Sequence, residues 1–451
     1  MLHSRARVMA TLIHNATLLP CTQGMEVIAG GWVQIEGTRI LALGAGPAPI
    51  VPGAEVIDAG GDVVMPGMVN PHCHLAMTLF RGLGEDVDDR LVRYILPLER
   101  RFVTPEMVAV GTALAAFESI EGGVTTIADM YYHETEVGRV LDRAGLRGVV
   151  GQTIANFAPP DHASIDEGFA LAERLVAEFA GHARITPGIA PHAPYSTDIP
   201  VLARVARFAE ANPGVPVQIH LAEMDSEMGW AARTHGCRPV EVLARAGLLR
   251  PGLIAAHCLH VSPDEIAQMA AAGVGVAHNA RSNGKAGRGI APVEAMRAAG
   301  LPVGIATDGA MSGNTLDLFA QFAPVAMFQK LLGHSRACMP AREVIRMATI
   351  EGAKVLGLAA RIGSLEPGKE ADLIRVSLGA ARQQPVYDVY STLVFASLAS
   401  DVRDVMVAGR WLMRGREMLS LERRKVLRDV LQLAAHFKAE MQLIDKERKN
   451  Q

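Results

Sequence analysis

PVEVLARAGLLRPGLIAAHCLHVSPDEIAQMAAAGVGVAHN, residues 239–279, decides the fold. Pro239–Ala246 has the apolar spacing of an amphipathic helix, and Leu253–Cys258 is an apolar run of strand length. The pattern then repeats, with a helix over Pro263–Ala272 and a strand over Val274–His278. Working outward, the same alternation holds for Pro292–Ala299 with Pro302–Asp308. It holds upstream for Ile199–Ala211 with Pro216–Leu221, and for Thr104–Glu121 with Thr125–Asp129. Repeated strand–helix units imply a parallel sheet covered by helices. About eight such units fit between residues 67 and 362, so a closed (β/α)8 TIM barrel is expected. The alternative is an open doubly wound sheet. No G-x-G-x-x-G follows a strand, which disfavours a dinucleotide-binding version of it.

The two ends of the chain read differently. Thr11–Leu19, Gly31–Ile35 and Arg39–Leu43 are β-rich runs broken by turn signals. Ala371–Val376, Val402–Ala408 and Arg410–Met413 repeat that texture near the other end. We therefore expect a small β-sandwich built from residues 1–66 and 363–451, with the barrel over 67–362 between them. Leu421–Lys446 reads as a charged amphipathic helix packed on the outside.

The chain has 451 residues, is 49% hydrophobic and 20% charged, and carries a net charge of −3. This is the composition of a globular enzyme. No basic stripe favours nucleic acid, and no run of apolar residues is long enough for a membrane span. The five cysteines (Cys21, Cys73, Cys237, Cys258 and Cys338) are scattered and never in C-x-x-C spacing, which suits reduced thiols in a cytoplasm. The start of the chain has basic residues (Arg5, Arg7, with His3), but its apolar run is too short and polar for a secretory signal.

Polar residues fall where the barrel strands end. Strand side chains alternate, so His72 and His74 in P-H-C-H (71–74) point the same way. An H-x-H by itself is common by chance. Three further strand ends carry H-L-A-E (220–223), A-A-H-C (255–258) and A-T-D-G (306–309). In a barrel these ends converge on one face, where active sites are built. Neutral histidines together with a carboxylate make a zinc site. No lysine lies near the strand end Ile185–Pro194 to bridge a second ion, so one divalent metal is expected, zinc first and ferrous iron second.

These motifs resemble the amidohydrolase superfamily over nearly the whole length. They include P-G-M-V-N-P-H-C-H (66–74), G-V-T-T-I-A-D-M (123–130), H-L-A-E (220–223), H-N-A-R-S-N (278–283), A-T-D-G (306–309) and G-S-L-E-P-G-K-E-A-D-L (363–373). The chain is similar in particular to the aminopurine and related ring deaminases, notably the methylthioadenosine/S-adenosylhomocysteine deaminases. That likeness rests on T-L-F-R-G-L-G-E-D (78–86), L-P-L-E (96–99), M-Y-Y-H-E (130–134), P-H-A-P-Y (191–195) and G-I-A-P-V (289–293).

The resemblance implies that His72, His74, His220 and Asp308 hold the metal. It implies that Glu223 shuttles protons, that His257 and Asp308 act on the attacking water, and that Glu99 and His192 meet the substrate ring. Gln152 stands in a region where the family offers an arginine to the ribose side. The segment Glu85–Tyr94 also lacks the tryptophan of the pattern, and Gly284 replaces a bulkier residue. Read without the family, Glu99 is a surface helix residue, His192 caps a loop, His278 and Asn283 brace a strand end, and Thr307 is packing.

The expected activity is hydrolytic deamination of an amino-substituted nitrogen heterocycle, with a thioether adenosine nucleoside as substrate. The alternative is a triazine, pterin or guanine-type ring, deaminated or dechlorinated. A non-catalytic scaffold relative is disfavoured, because such relatives lose ligands that are all retained here. The expected partners are that small heterocycle and water, with no nucleic acid or membrane, in a homo-oligomer of two or four chains.

Overall fold

A computed structural model of the protein describes residues 10–449. The basic start holding His3, Arg5 and Arg7 lies outside them. Five strands come first: β1 (Ala10–Leu18), β2 (Ile28–Glu36), β3 (Arg39–Gly44), β4 (Glu55–Asp58) and β5 (Val63–Pro66). The barrel strands follow: β6 (Met68–Cys73), β7 (Val124–Tyr131), β8 (Arg147–Ile154), β9 (Ile185–Pro191), β10 (Val217–Leu221), β11 (Leu253–His257), β12 (Gly275–His278) and β13 (Val303–Ile305). The last four are β14 (Leu373–Val376), β15 (Val402–Val407), β16 (Arg410–Arg414) and β17 (Glu417–Met418).

Strands β6 to β13 lie side by side in chain order, all parallel. A doubly wound sheet reverses its order at a switch point, and this one does not. Side chains close the seam between the first and last strands. Asn70 Nδ2 donates to Thr307 Oγ1 at 2.8 Å, and Thr307 N donates to Asn70 Oδ1 at 3.2 Å. Thr307, read as packing from the sequence, is half of this clasp.

The helices start where the sequence supplies caps. Ser262 Oγ accepts from Glu265 N, and Glu265 reaches back to Ser262 N at 2.8 Å, so helix Pro263–Ala271 opens on a complete capping box. Thr104 and Asp198 cap helices Pro105–Glu121 and Ile199–Ala211 with a single bond each, accepting from Met107 N and Val201 N.

The two β-rich ends meet. Strand β5 pairs antiparallel with β14, and β1 pairs with β2, β4 and β5, so nine strands from both ends join in one mixed sheet. Ile13, Leu18, Val33, Ile35, Leu373 and Met406 form its own core. Arg147, at the N-terminal end of β8, binds Asp372 through two hydrogen bonds of 3.0 and 3.2 Å, both side chains being buried. This pair ties the barrel floor to the β-sheet, at the end of the strands opposite the histidines.

The terminal helix, Arg423–Lys449, packs Phe437 against Phe80 and Phe102. It thereby backs the segment that carries Glu99. Among the described residues no single helix is long and apolar enough to cross a membrane.

Candidate active site

The strands deliver their polar residues to one end of the barrel, and several do so through unusual backbone. Ala222, His257, Cys258 and Asp308 all adopt left-handed conformations, with φ of 50°, 74°, 50° and 59°. Such conformations are unfavourable for side chains with a Cβ and cluster at functional sites. The turn at Asp308 also explains why β13 stops at Ile305 instead of running on to Asp308. The chain leaves the sheet there, and Gly309 N donates to Asp308 Oδ1 at 2.6 Å.

His74 donates from Nδ1 to the carbonyl of Met130 at 2.6 Å, and His220 donates from Nδ1 to the carbonyl of His192 at 2.7 Å. Each ring thus spends Nδ1 on the backbone and turns Nε2 toward the other polar side chains of the cluster. The two Nε2 atoms lie 3.2 Å apart, and His74 Nε2 is 3.4 Å from Asp308 Oδ1. His72 is fully buried, and neither of its ring nitrogens has a hydrogen-bond partner. Its Nε2 lies 3.9 Å from the same Asp308 oxygen.

Burial, then the neighbouring imidazoles, hold His72 and His220 well below the usual histidine range. Both rings are therefore neutral, the form that binds a cation. Burial alone would raise Asp308, but His257, His74 and His72 outweigh it and hold the carboxyl well below its ordinary value. The donors converge: His72, His74 and Asp308 present ligand atoms within 4.8 Å of one another, and so do His72, His220 and His257. Lone pairs aimed at one point, with an orphaned imidazole among them, fit a divalent ion of zinc type.

Further side chains orient this cluster. Ser282 donates to Asp308 Oδ2 at 2.6 Å. His257 Nδ1 donates to Asn283 Oδ1 at 2.8 Å, leaving Nε2 free and 3.7 Å from Glu223 Oε1. Both come from the short helix Ala280–Lys285, so the H-N-A-R-S-N segment braces two strand ends at once. Glu227 accepts from Ala222 N and Glu223 N, each at 2.9 Å, and so fixes the turn presenting Glu223. Burial pushes the Glu227 carboxyl up to about 7.

Glu227 was missed in the sequence, although its place in the first turn of helix Asp225–His235 is a usual one for a side chain that reaches back to the helix start. Arg288 was missed as well. It forms an ion pair with Glu223 Oε1.

A cavity of about 340 Å³ opens over the cluster. Its wall includes Glu99, His192, Glu223, His257, Arg288 and Asp308, with an apolar side formed by residues such as Met77, Leu91, Leu96 and Phe157. Glu99 is buried, accepts from Tyr131 Oη at 2.7 Å, and is pushed up to about 7 by that burial. Burial, then His74, takes His192 down to about 4, and its Nδ1 is 2.7 Å from Ser196 Oγ.

The structure thus brings together His72, His74, His220, Asp308, Glu223, His257, Glu99 and His192. It does not bring Gln152 to the cavity. That amide is buried and donates to Asp161 Oδ2 at 2.9 Å, while the adjacent Thr153 lines the wall instead.

The amidohydrolase family matches residues 63–412, which run from β5 through the whole barrel to β14, β15 and part of β16. The chain belongs to the amidohydrolase family. Within that family it is 38% identical to a 5-methylthioadenosine/S-adenosylhomocysteine deaminase of Syntrophobacter fumaroxidans, over 85% of this chain and 88% of that one. It is 40% identical to the protein of the same description in Symbiobacterium thermophilum, over 88% and 92%. Among solved structures, an adenosine deaminase of Xanthomonas campestris with bound zinc superposes with a TM-score of 0.92 at 32% identity, covering 96% of this chain and 99% of that one.

Proposed function

We propose that this amidohydrolase is a zinc-dependent deaminase that hydrolyses the amino group from an aminopurine nucleoside of the 5′-methylthioadenosine type. The observation that carries the reading is the convergence of three histidine nitrogens and one carboxylate beneath a cavity whose wall also holds Glu223 and His257. The relatives named above support the substrate class.

His72, His74, His220 and Asp308 would hold one zinc ion, which supplies a Lewis acid that lowers the pKa of a water molecule to about 7. Asp308 takes a proton from the attacking water. His257 Nε2, with its tautomer set by Asn283, accepts a hydrogen bond from the same water. Glu223 gives a proton to the ring nitrogen beside the amino-bearing carbon, then passes one to the departing amine. Water and the amino compound become a ring carbonyl and ammonia. Positioned proton transfer of this kind contributes about 10²- to 10⁴-fold. Glu99 and His192 hold the nucleoside.

A second reading, a free guanine-, pterin- or triazine-type ring, is supported by one observation. Gln152 is engaged by Asp161 and not by the cavity, leaving the wall beyond Met130 to Tyr131, Tyr132, Thr153 and Phe157. The reading also includes a cytoplasmic protein free of nucleic acid and membrane. Five unpaired thiols support the compartment.

Ammonia release across 5′-methylthioadenosine, S-adenosylhomocysteine, adenosine, guanine, a pterin and an aminotriazine tests the proposal. The highest kcat/KM is expected for the thioether nucleosides. Activity confined to the free rings would replace the first reading by the second. Two tightly bound ions per chain in elemental analysis would overturn the single-metal assignment.

A further inference from the structure

The helix that carries Glu99 is itself a wall of the cavity. It runs from Leu91 to Phe102, with its first turn widened so that Leu96 N donates to the carbonyl of Leu91, five residues back. Leu91, Leu96, Glu99 and Arg100 line the cavity, yet Leu91 and Val92 are also exposed to solvent. A wall packed on one side only opens locally at lower cost than the core behind it. Its outer support comes from the terminal helix, Arg423–Lys449.

At the far end of the wall, Phe437 packs on Phe102 and Glu440 pairs with Arg101. At the near end one carboxylate oxygen makes the tie. Asp445 Oδ1 accepts from Arg93 Nη2 at 2.7 Å and from Tyr94 Oη at 2.6 Å. The Arg93 guanidinium also lies 4.8 Å from the centre of the Tyr94 ring. Tyr94 is buried, and its ring passes so close to Gly84 that a Cβ there would stand 2.6 Å from it. The tyrosine is thus held between Gly84 on one side and Asp445 on the other. Tyr94 and Glu99 stand five residues apart on one continuous helix, so fixing the first sets the second.

From these contacts we infer that Asp445 is a positioning residue for substrate binding: through Arg93 and Tyr94, the terminal helix holds Glu99 against the cavity. Asp445 touches no substrate and adds no chemical step. The inference rests on the substrate contact proposed for Glu99. Apparent affinity falls in proportion to the fraction of molecules with the wall in place. The metal ligands stand elsewhere, at the ends of β6 and β10 and after β13, so zinc binding and the chemical step do not depend on this tie.

The test uses the full-length, zinc-loaded protein and compares wild type, Asp445→Ala and Asp445→Asn in ammonia release from 5′-methylthioadenosine. Asp445→Ala is expected to raise KM by about 3- to 10-fold, the range of a net intramolecular hydrogen bond, with kcat and zinc content near wild type. Asp445→Asn keeps an acceptor for Tyr94 and should recover part of the loss. In a Glu99→Gln background, Asp445→Ala should raise KM by less than about 2-fold, because the two residues act through one contact. An unchanged KM in Asp445→Ala overturns the assignment, and so does an equal fold-change in both backgrounds. A joint loss of zinc, kcat and affinity also overturns it, as the mark of general loosening. If no nucleoside releases ammonia, the deaminase reading falls, and hydrogen exchange decides Asp445 separately. Exchange across Leu91–Phe102 that is about 3- to 10-fold faster in Asp445→Ala, with the barrel strands unchanged, keeps the tie, and equal exchange removes it.

Discussion

Replacing Glu99 with glutamine should stabilise the protein at pH 8 and do little at pH 5. Glu99 is 6% exposed, and burial raises its carboxyl from the ordinary 4.5 to about 7. The folded state therefore binds this proton more tightly than the unfolded chain. As pH rises above 4.5 the unfolded carboxyl ionises first, and the folded state loses stability until the pH passes about 7. A displacement from 4.5 to about 7 corresponds to about 3 kcal/mol at full ionisation. Glutamine mimics the protonated acid, can still accept from Tyr131, and does not titrate.

The stability gap between Glu99→Gln and wild type should thus be under about 1 kcal/mol at pH 5 and about 3 kcal/mol at pH 8. Urea unfolding at the two pH values, with both proteins in the same metal state, measures it. The comparison cancels the histidine titrations common to both chains. A gap of the same size at pH 5 and pH 8 would refute the burial argument. The same variant should raise KM, since the carboxyl faces the cavity, and an unchanged KM would take Glu99 out of substrate binding.

Three further outcomes follow from the contacts. Arg147→Met removes one side of a buried pair and leaves Asp372 with the Ala408 amide at 2.7 Å; it should lower stability by about 3–5 kcal/mol in urea unfolding, and a loss below 1 kcal/mol would mean the pair is not a lock between barrel and β-sheet. Asn283→Leu frees the His257 tautomer and should lower kcat by about 10- to 100-fold while zinc content stays near wild type; joint loss of zinc and activity would show that Asn283 supports the ligands instead. Asp308→Asn should reduce turnover more than zinc affinity, because three histidines remain. Normal turnover at excess zinc would remove its role as base.

Much of this architecture was legible because it rests on local pattern. Apolar runs of strand length, followed by capped amphipathic segments, identify the strand–helix units, and polar residues recurring at four strand ends converge on one face of a barrel. His72, His74, His220, His257 and Asp308 were found for that reason. What could not be read depends on pairings across the chain. The clasp between Asn70 and Thr307 joins residues 237 apart in sequence, and the Arg288–Glu223 pair joins residues 65 apart. The direction of Gln152 depends on where the following loop places Asp161, which strand alternation does not specify. The early end of β13 depends on a left-handed turn at Asp308, a residue type that adopts it only in particular contexts.

The central claim is that Glu223 relays protons over a metal centre built from His72, His74, His220 and Asp308. The most direct measurement is the rate of ammonia release from 5′-methylthioadenosine by wild type and Glu223→Gln, each loaded with about one zinc per chain. The account predicts equal zinc content and a rate lower by about 10²- to 10⁴-fold in the variant. Equal rates at equal zinc content would contradict it.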